Sequence, residues 1–511
     1  MRLPSPTSTK SCSTGGMLTY SLGECANSLV MNGIFGFAML FYTKSLGLEP
    51  AWAGFAMSLS VFWEAITEPV MGHISDNTRS SWGRRHPYML IGGLLMALCS
   101  YLIWTVPGFC RDSQMAIFWY LVAMNLLLRT GLTMFFIPYM ALGFEMCADY
   151  QGRSRIQGIR QVFNMAANFA GPAMAWVMFF GGQGNTQATT VEANYHHMGA
   201  TFAIATAIFV ILVVVGTSRW QEDTRHAPHG SKNGWVSEFL RDMKEILADP
   251  NPRWVFIFIF IVCTGMVIVS SLQMFVYDDF MKFPAWQKSI AHGGTMVGMA
   301  FGALFSIGLT KRHDKKGAVF IGGIVSIVSN LALAMLFLTD LVKPDTTLAL
   351  GGFDVPLALI LFVIFHAGYW LGNGIILPVA TAMMADVSEV CRLKTGEIKD
   401  GGYSSVFSLA MRMAISFSLI VAGWTLHLIG YQVPRNGVPV TQTPQAIWNL
   451  GMVTFVIGAA ICTLSLLAIR KYPITRVWLE RCRTKSPVSG SLPPPHPNGF
   501  LDDFEPDQSI Q

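Results

Sequence analysis

Glu64 and Glu68 lie inside Ala53–Ile74, an apolar stretch as long as a bilayer-crossing helix. Residues four apart share one helix face, so both carboxylates point the same way. A charge in hydrocarbon costs about 2.5–3.5 kcal/mol even on the lenient insertion scale, and ionisable residues in such segments mark ion or substrate pathways. Other polar residues recur at helical spacing in apolar surroundings. Tyr20, Glu24, Asn27 and Ser28 form one stripe, and Arg160, Asn164 and Asn168 another. Arg129 and Thr133 share a face with Phe136, and Arg412 stands in the middle of its stretch.

The elements that must position these groups are transmembrane helices. Of the 511 residues, 52% are hydrophobic and 13% charged, about half the charged share of a soluble domain. Apolar stretches of spanning length predict twelve spans: Tyr20–Leu46, Ala53–Ile74, Tyr88–Val106, Met115–Leu142, Ile156–Phe180, Met198–Thr217, Val255–Tyr277, Ala291–Leu309, Ala318–Leu338, Pro356–Met384, Gly402–Leu428 and Ala446–Ile469. The longest are expected to project from the bilayer or to kink at Pro138 and Pro378. Connections on one side, with both tails, hold 26 of the 35 Lys and Arg, so both termini are expected in the cytoplasm. The net charge of +5 follows from that bias and calls for no nucleic acid. The domains expected are a cytoplasmic tail over 1–19, six helices over 20–217, a linker over 218–254, six helices over 255–469 and a tail over 470–511.

In the linker, Trp235–Leu247 spaces Trp235, Phe239, Met243, Ile246 and Leu247 as an amphipathic helix, lying on the bilayer or packed on the bundle. Ser486–Gln511 is Pro-, Ser- and Asp-rich and expected to be disordered. Met1–Gly16 lacks the pattern of a cleaved signal peptide. The nine cysteines are scattered, which supports neither a disulfide framework nor a zinc site. No metal cluster, nucleophile elbow or phosphate loop suggests an enzyme, and no cofactor beyond a coupling ion is expected.

The chain carries a faint internal repeat. Ser75–Pro87 follows span two and Thr310–Gly317 follows span eight, both basic; Pro138 and Pro378 are each followed by an acid, Glu145 or Asp386. Phe41-Tyr-Thr-Lys-Ser-Leu-Gly-Leu, Trp63-Glu-Ala-Ile-Thr-Glu-Pro-Val-Met-Gly, the Ser75-Asp to Tyr88 loop, Ile137-Pro-Tyr-Met-Ala-Leu-Gly, Met384-Ala-Asp-Val-Ser-Glu and Tyr403-Ser-Ser-Val-Phe-Ser resemble the glycoside–pentoside–hexuronide:cation symporter family, typified by melibiose permease. The resemblance implies an all-α polytopic membrane protein with the major facilitator fold: twelve helices in two six-helix bundles. It further implies cation-coupled symport of a sugar, glycoside or hexuronide by alternating access, at a cell inner membrane.

By that resemblance Glu64, Glu68 and Thr133 occupy cation-site positions, and Arg412 stands where the type member has a lysine near that site. Phe136 replaces the fourth-span acid, which favours H⁺ over Na⁺, because one buried carboxylate can carry a proton alone. If Arg129 faces Glu64, it keeps that acid ionised and leaves Glu68 to titrate. Arg160 matches the family's sugar-contacting arginine, and Tyr20 is also matched; Asn27, Ser28 and Met140 depart from the type member's lysine, aspartate and tryptophan. Glu24, Arg129, Asn164, Gln273, His366, Trp370 and Asn373 complete the substrate candidates. Aromatic rings suit the apolar face of a sugar and amides its hydroxyls. Asp76, Arg79, Arg84, Arg85, Glu145 and Asp386 are expected to form charge pairs that gate the cytoplasmic side. The expected partners are a small-molecule sugar and the lipid bilayer, and a monomer is expected. The alternative is an uncoupled facilitator, or a carrier of a lysolipid-like or organic-anion substrate.

Overall fold

A computed structural model describes residues 13–147, 150–181, 188–220, 241, 243–246, 250–343, 345–350, 353–395, 400–434 and 440–485. Apart from a few positions, Trp235–Leu247 lies outside them, as does Ser486–Gln511. The described residues are mainly helical: α1 (Thr14–Gly33), α2 (Pro50–Asp76), α3 (His86–Leu102), α4 (Gln114–Met146), α5 (Tyr150–Phe179), α6 (Glu192–Gly216), α7 (Pro250–Phe275), α8 (Ala285–Leu338), α9 (Leu357–Thr395), α10 (Asp400–Leu428), α11 (Pro444–Met452), α12 (Gly458–Ile469) and α13 (Arg476–Lys485). One hairpin, Thr347–Leu350 paired antiparallel with Phe353–Pro356, precedes α9. Wide π-helical turns extend α1 (Ile34–Ala38, Phe41–Ser45) and α7 (Val276–Phe280) and join α11 to α12 (Val453–Ile457).

Eight of the described helices are long and apolar enough to cross a membrane by length and composition. Three expected spans, the first, second and third, fall outside that count, and two more share one helix. The eighth and ninth are counted together in α8, which turns at Asp314. The second carries two glutamates, and α3 has 17 residues. The helices run beyond the apolar stretches, most of all in α9, where Thr395 replaces the expected end at Met384. Pro138 and Pro378 sit inside continuous helices. Cys147, beyond the end of α4, is disulfide-bonded, while Cys25, Cys99, Cys110, Cys263, Cys391 and Cys462 are free.

The contacts divide the chain into two compact units. The first comprises Met1–Ser231, Ser270–Gly293 and Leu419–Leu450; the second comprises Lys232–Val269, Gly294–Ser418 and Gly451–Gln511. In the first, α1 packs on α5 and α6, α3 on α4 and α6, and α2 on α4. The core of the second joins α7, α8, α9 and α10, with Val255, Phe258, Val319, Trp370, Ile376 and Phe407 among its members.

The backbone carries a further correspondence between two helix ends and between two helix crossings. The π turn of α1 closes with Leu46 N bonded to Phe41 O and Leu48 N to Tyr42 O; that of α7 closes with Met281 N on Val276 O and Phe283 N on Tyr277 O. Each then places one residue at positive φ, Gly47 (71°) or Lys282 (52°). The α3–α4 crossing is close because a Cβ on Gly92 would lie 2.8 Å from Gly131 O. In the other half, a Cβ on Gly322 of α8 would lie 2.8 Å from Gly372 O of α9.

Candidate functional site

Arg129 reaches across from α4 to α2, where its Nη1 meets Glu64 Oε2 at 2.5 Å. Both side chains are buried, at 1% and 3% exposure, so the pair stays clear of bulk water. The guanidinium also lies 5.2 Å from the centre of the Phe35 ring. One turn further along α2, Thr67 Oγ1 lies 3.4 Å from Thr133 Oγ1 on α4. Glu68 follows, half-buried. Glu64, Thr133 and Arg129 are thus brought together on the α2–α4 face. Arg412 is half-buried in α10 and belongs to the second unit.

The two polar stripes of α1 and α5 meet. Arg160 Nε donates to Glu24 Oε1 at 3.0 Å. Asn164 Nδ2 donates to Glu24 Oε2 and to Ser28 Oγ, both at 3.1 Å. Asn168 Nδ2 donates to Asn164 Oδ1 at 2.9 Å, and Asn32 Nδ2 to Asn168 Oδ1 at 2.5 Å. Asn27 also hydrogen-bonds Glu24. Tyr20 stacks on Tyr139, with ring centres 4.4 Å apart, and its hydroxyl donates to Tyr139 O at 3.0 Å. Asn32 and Tyr139 escaped the sequence reading. Asn32 lies four residues beyond Ser28 on the same stripe, so continuing the period would have found it.

The tenth-span trio is packed inward. His366, Trp370 and Asn373 are buried; Trp370 Nε1 donates to His366 Nε2 at 3.4 Å, and Asn373 Nδ2 to Tyr369 O at 3.0 Å. Trp370 and Tyr369 belong to the apolar core of their unit, so the described contacts of this row are packing contacts. Gln273 is buried near the end of α7.

The charged loops form the same device twice. In the first unit the left-handed residue Gly83 (φ 75°) precedes Arg84 and Arg85. Arg84 pairs with Glu145 at 2.7 Å, and Arg85 with Glu145 at 2.9 Å and Asp76 at 2.6 Å. In the second unit Asp314 (φ 56°) precedes Lys315 and Lys316, and Lys315 pairs with Asp386 at 2.6 Å. Each acid therefore pairs within its own unit. Arg79 is exposed. Asp386 lies within α9, not at its end.

A further ionic cluster was missed. Asp278 pairs with both Lys44 and Lys288 and accepts from Thr189 Oγ1 at 2.6 Å. Lys44 also reaches Asp279 at 2.8 Å, and Asp279 accepts from the Tyr431 hydroxyl at 2.7 Å. Burial and the neighbouring Asp279 push the Tyr431 phenol well up, which keeps it a donor. In the sequence these charges read as loop charges because each closes or opens an apolar stretch.

Buried, mutually neutralising ion pairs recur on these apolar helices, and comparison with known proteins makes the chain a membrane transporter, not an enzyme. Residues 19–476 match the MFS/sugar transport protein family, and the chain belongs to it, within the glycoside–pentoside–hexuronide:cation symporters of the major facilitator superfamily. A glucuronide carrier protein homolog of Escherichia coli strain K12 is 23% identical, over 89% of this chain and 92% of the relative. An isoprimeverose transporter of Lactiplantibacillus pentosus is 25% identical, over 81% of this chain and 80% of the relative. The crystal structure of a D-xylose-proton symporter shares the fold with TM-score 0.57 at 12% identity, covering 90% of this chain and 97% of that one.

Proposed function

We propose that this protein carries a sugar or glycoside across a cell inner membrane by alternating access, together with a proton, and that Glu68 is the carboxylate that takes up and releases that proton. The Arg129–Glu64 pair carries this reading. The buried guanidinium of Arg129 occupies Glu64 at 2.5 Å, and we assign the exchange to Glu68, the acid one turn further on the same face. Phe136 supplies no oxygen ligand, and a hard cation such as Na⁺ wants several. Relatives named as a glucuronide carrier homolog and an isoprimeverose transporter support a sugar as cargo.

The test is the pH of a lightly buffered, energy-depleted suspension of expressing cells as neutral glycosides and uronates are added. Alkalinisation with one compound, absent in Glu68→Gln, is the expected result. Accumulation against a gradient that survives Glu68→Gln would sink the assignment. The same buried pair also suits an uncoupled facilitator, because the two groups satisfy each other without a coupling ion. Uphill accumulation that collapses with a protonophore excludes that second reading.

A further inference from the structure

Both guanidinium groups within the spans of the first unit are already matched by a carboxylate. Arg129 is held by Glu64, and Arg160 by Glu24. Resting on the sugar-transport reading above, we infer that the substrate is uncharged, and that Glu24 is the residue that excludes acidic sugars. Glu24 is 4% exposed and takes Arg160 on one oxygen and Asn164 on the other, so it is built into the network. Beyond it the row runs through amides and a hydroxyl, Asn164, Ser28, Asn168 and Asn32, which carry donors and acceptors but no charge.

A sugar hydroxyl both donates and accepts, as these groups do. Arg160 Nη1 points at the thioether of Met140, 2.7 Å away, a weak acceptor that a hydroxyl oxygen outcompetes. A uronate differs. To reach Arg160 its carboxylate must displace Glu24, leaving that buried carboxylate without its cation, or else sit beside it as a like charge. Either arrangement is penalised far more in this surrounding than in water. Specificity here comes from an element that repels the wrong substrate.

The experiment uses the full-length protein in detergent and calorimetric titration with p-nitrophenyl glucosides and galactosides, each set against its matched uronide. At least one neutral glycoside should bind ten-fold or more tightly than its uronide. Glu24→Gln, which frees the Arg160 charge, should narrow or reverse that ratio by at least ten-fold, and Glu24→Gln with Arg160→Gln should abolish the gain. Uronide binding equal to or tighter than that of the glycoside in the unaltered protein overturns the inference and leaves proton-coupled transport standing, even if the variants do not fold. Binding of none of these compounds overturns the sugar reading and this inference with it, while the alkalinisation assay reports on coupling separately.

Discussion

Arg129 and Glu64 exist as a unit, because neither charge has water to fall back on. Removing one partner of a buried pair leaves the other uncompensated, at a cost of about 3–5 kcal/mol. Arg129→Gln should therefore lower the thermal midpoint of the detergent-solubilised protein sharply. Removing both charges, in Glu64→Gln with Arg129→Gln, should restore most of the loss, since the desolvation penalty goes with them. If the double variant melts no higher than the single one, the pair is not the unit described. The tenth-span row teaches the converse at the same scale. His366, Trp370 and Asn373 have side chains suited to a sugar, yet their described bonds go to one another, to Tyr369 O and to Ser326 Oγ. Residue type states what a group can do; only the packing states what it faces.

Among the elements, the matched ends of α1 and α7 give a controlled comparison. The same turn is closed by Gly47 in one copy and by Lys282 in the other, both at positive φ. A side chain in this conformation costs about 1–2 kcal/mol, which glycine avoids. Gly47→Ala should destabilise the protein by more than that, since its new methyl would also strike the carbonyl oxygen of Pro434. Lys282→Gly should raise the melting temperature or leave it unchanged; a clear fall would show that Lys282 makes contacts worth more than its strain. The existence of the helices was legible because a bilayer demands length and apolarity, but their ends were not. Hydropathy marks the lipid boundary, whereas hydrogen bonding continues, so α9 runs on through Asp386 to Thr395. The Glu24–Arg160 row was legible as two separate stripes, since period is a local property. Their meeting was not. The Lys44–Asp278 pair left no trace at all in local pattern, because its members stand 234 residues apart.

For the whole molecule, the asymmetric distribution of Lys and Arg predicts the sides. Both termini, with the Gly83 and Asp314 turns, are expected on the cytoplasmic face. Phe109 is 81% exposed and Trp82 is 54% exposed, so each offers an accessible reporter position. A cysteine at Phe109 should react with a membrane-impermeant maleimide in intact cells, and one at Trp82 only after permeabilisation. The reverse pattern would invert the molecule. The Asp278 cluster also imposes an order in time. A ribosome delivers Lys44 long before Asp278 and Lys288, and the tyrosine that completes the cluster follows Asp279 by another 152 residues. During that interval the first ammonium group waits in the nascent chain without its counter-charge, and the end of α1 cannot take its final place. That corner of the protein is therefore assembled last, although its first residue is among the earliest made.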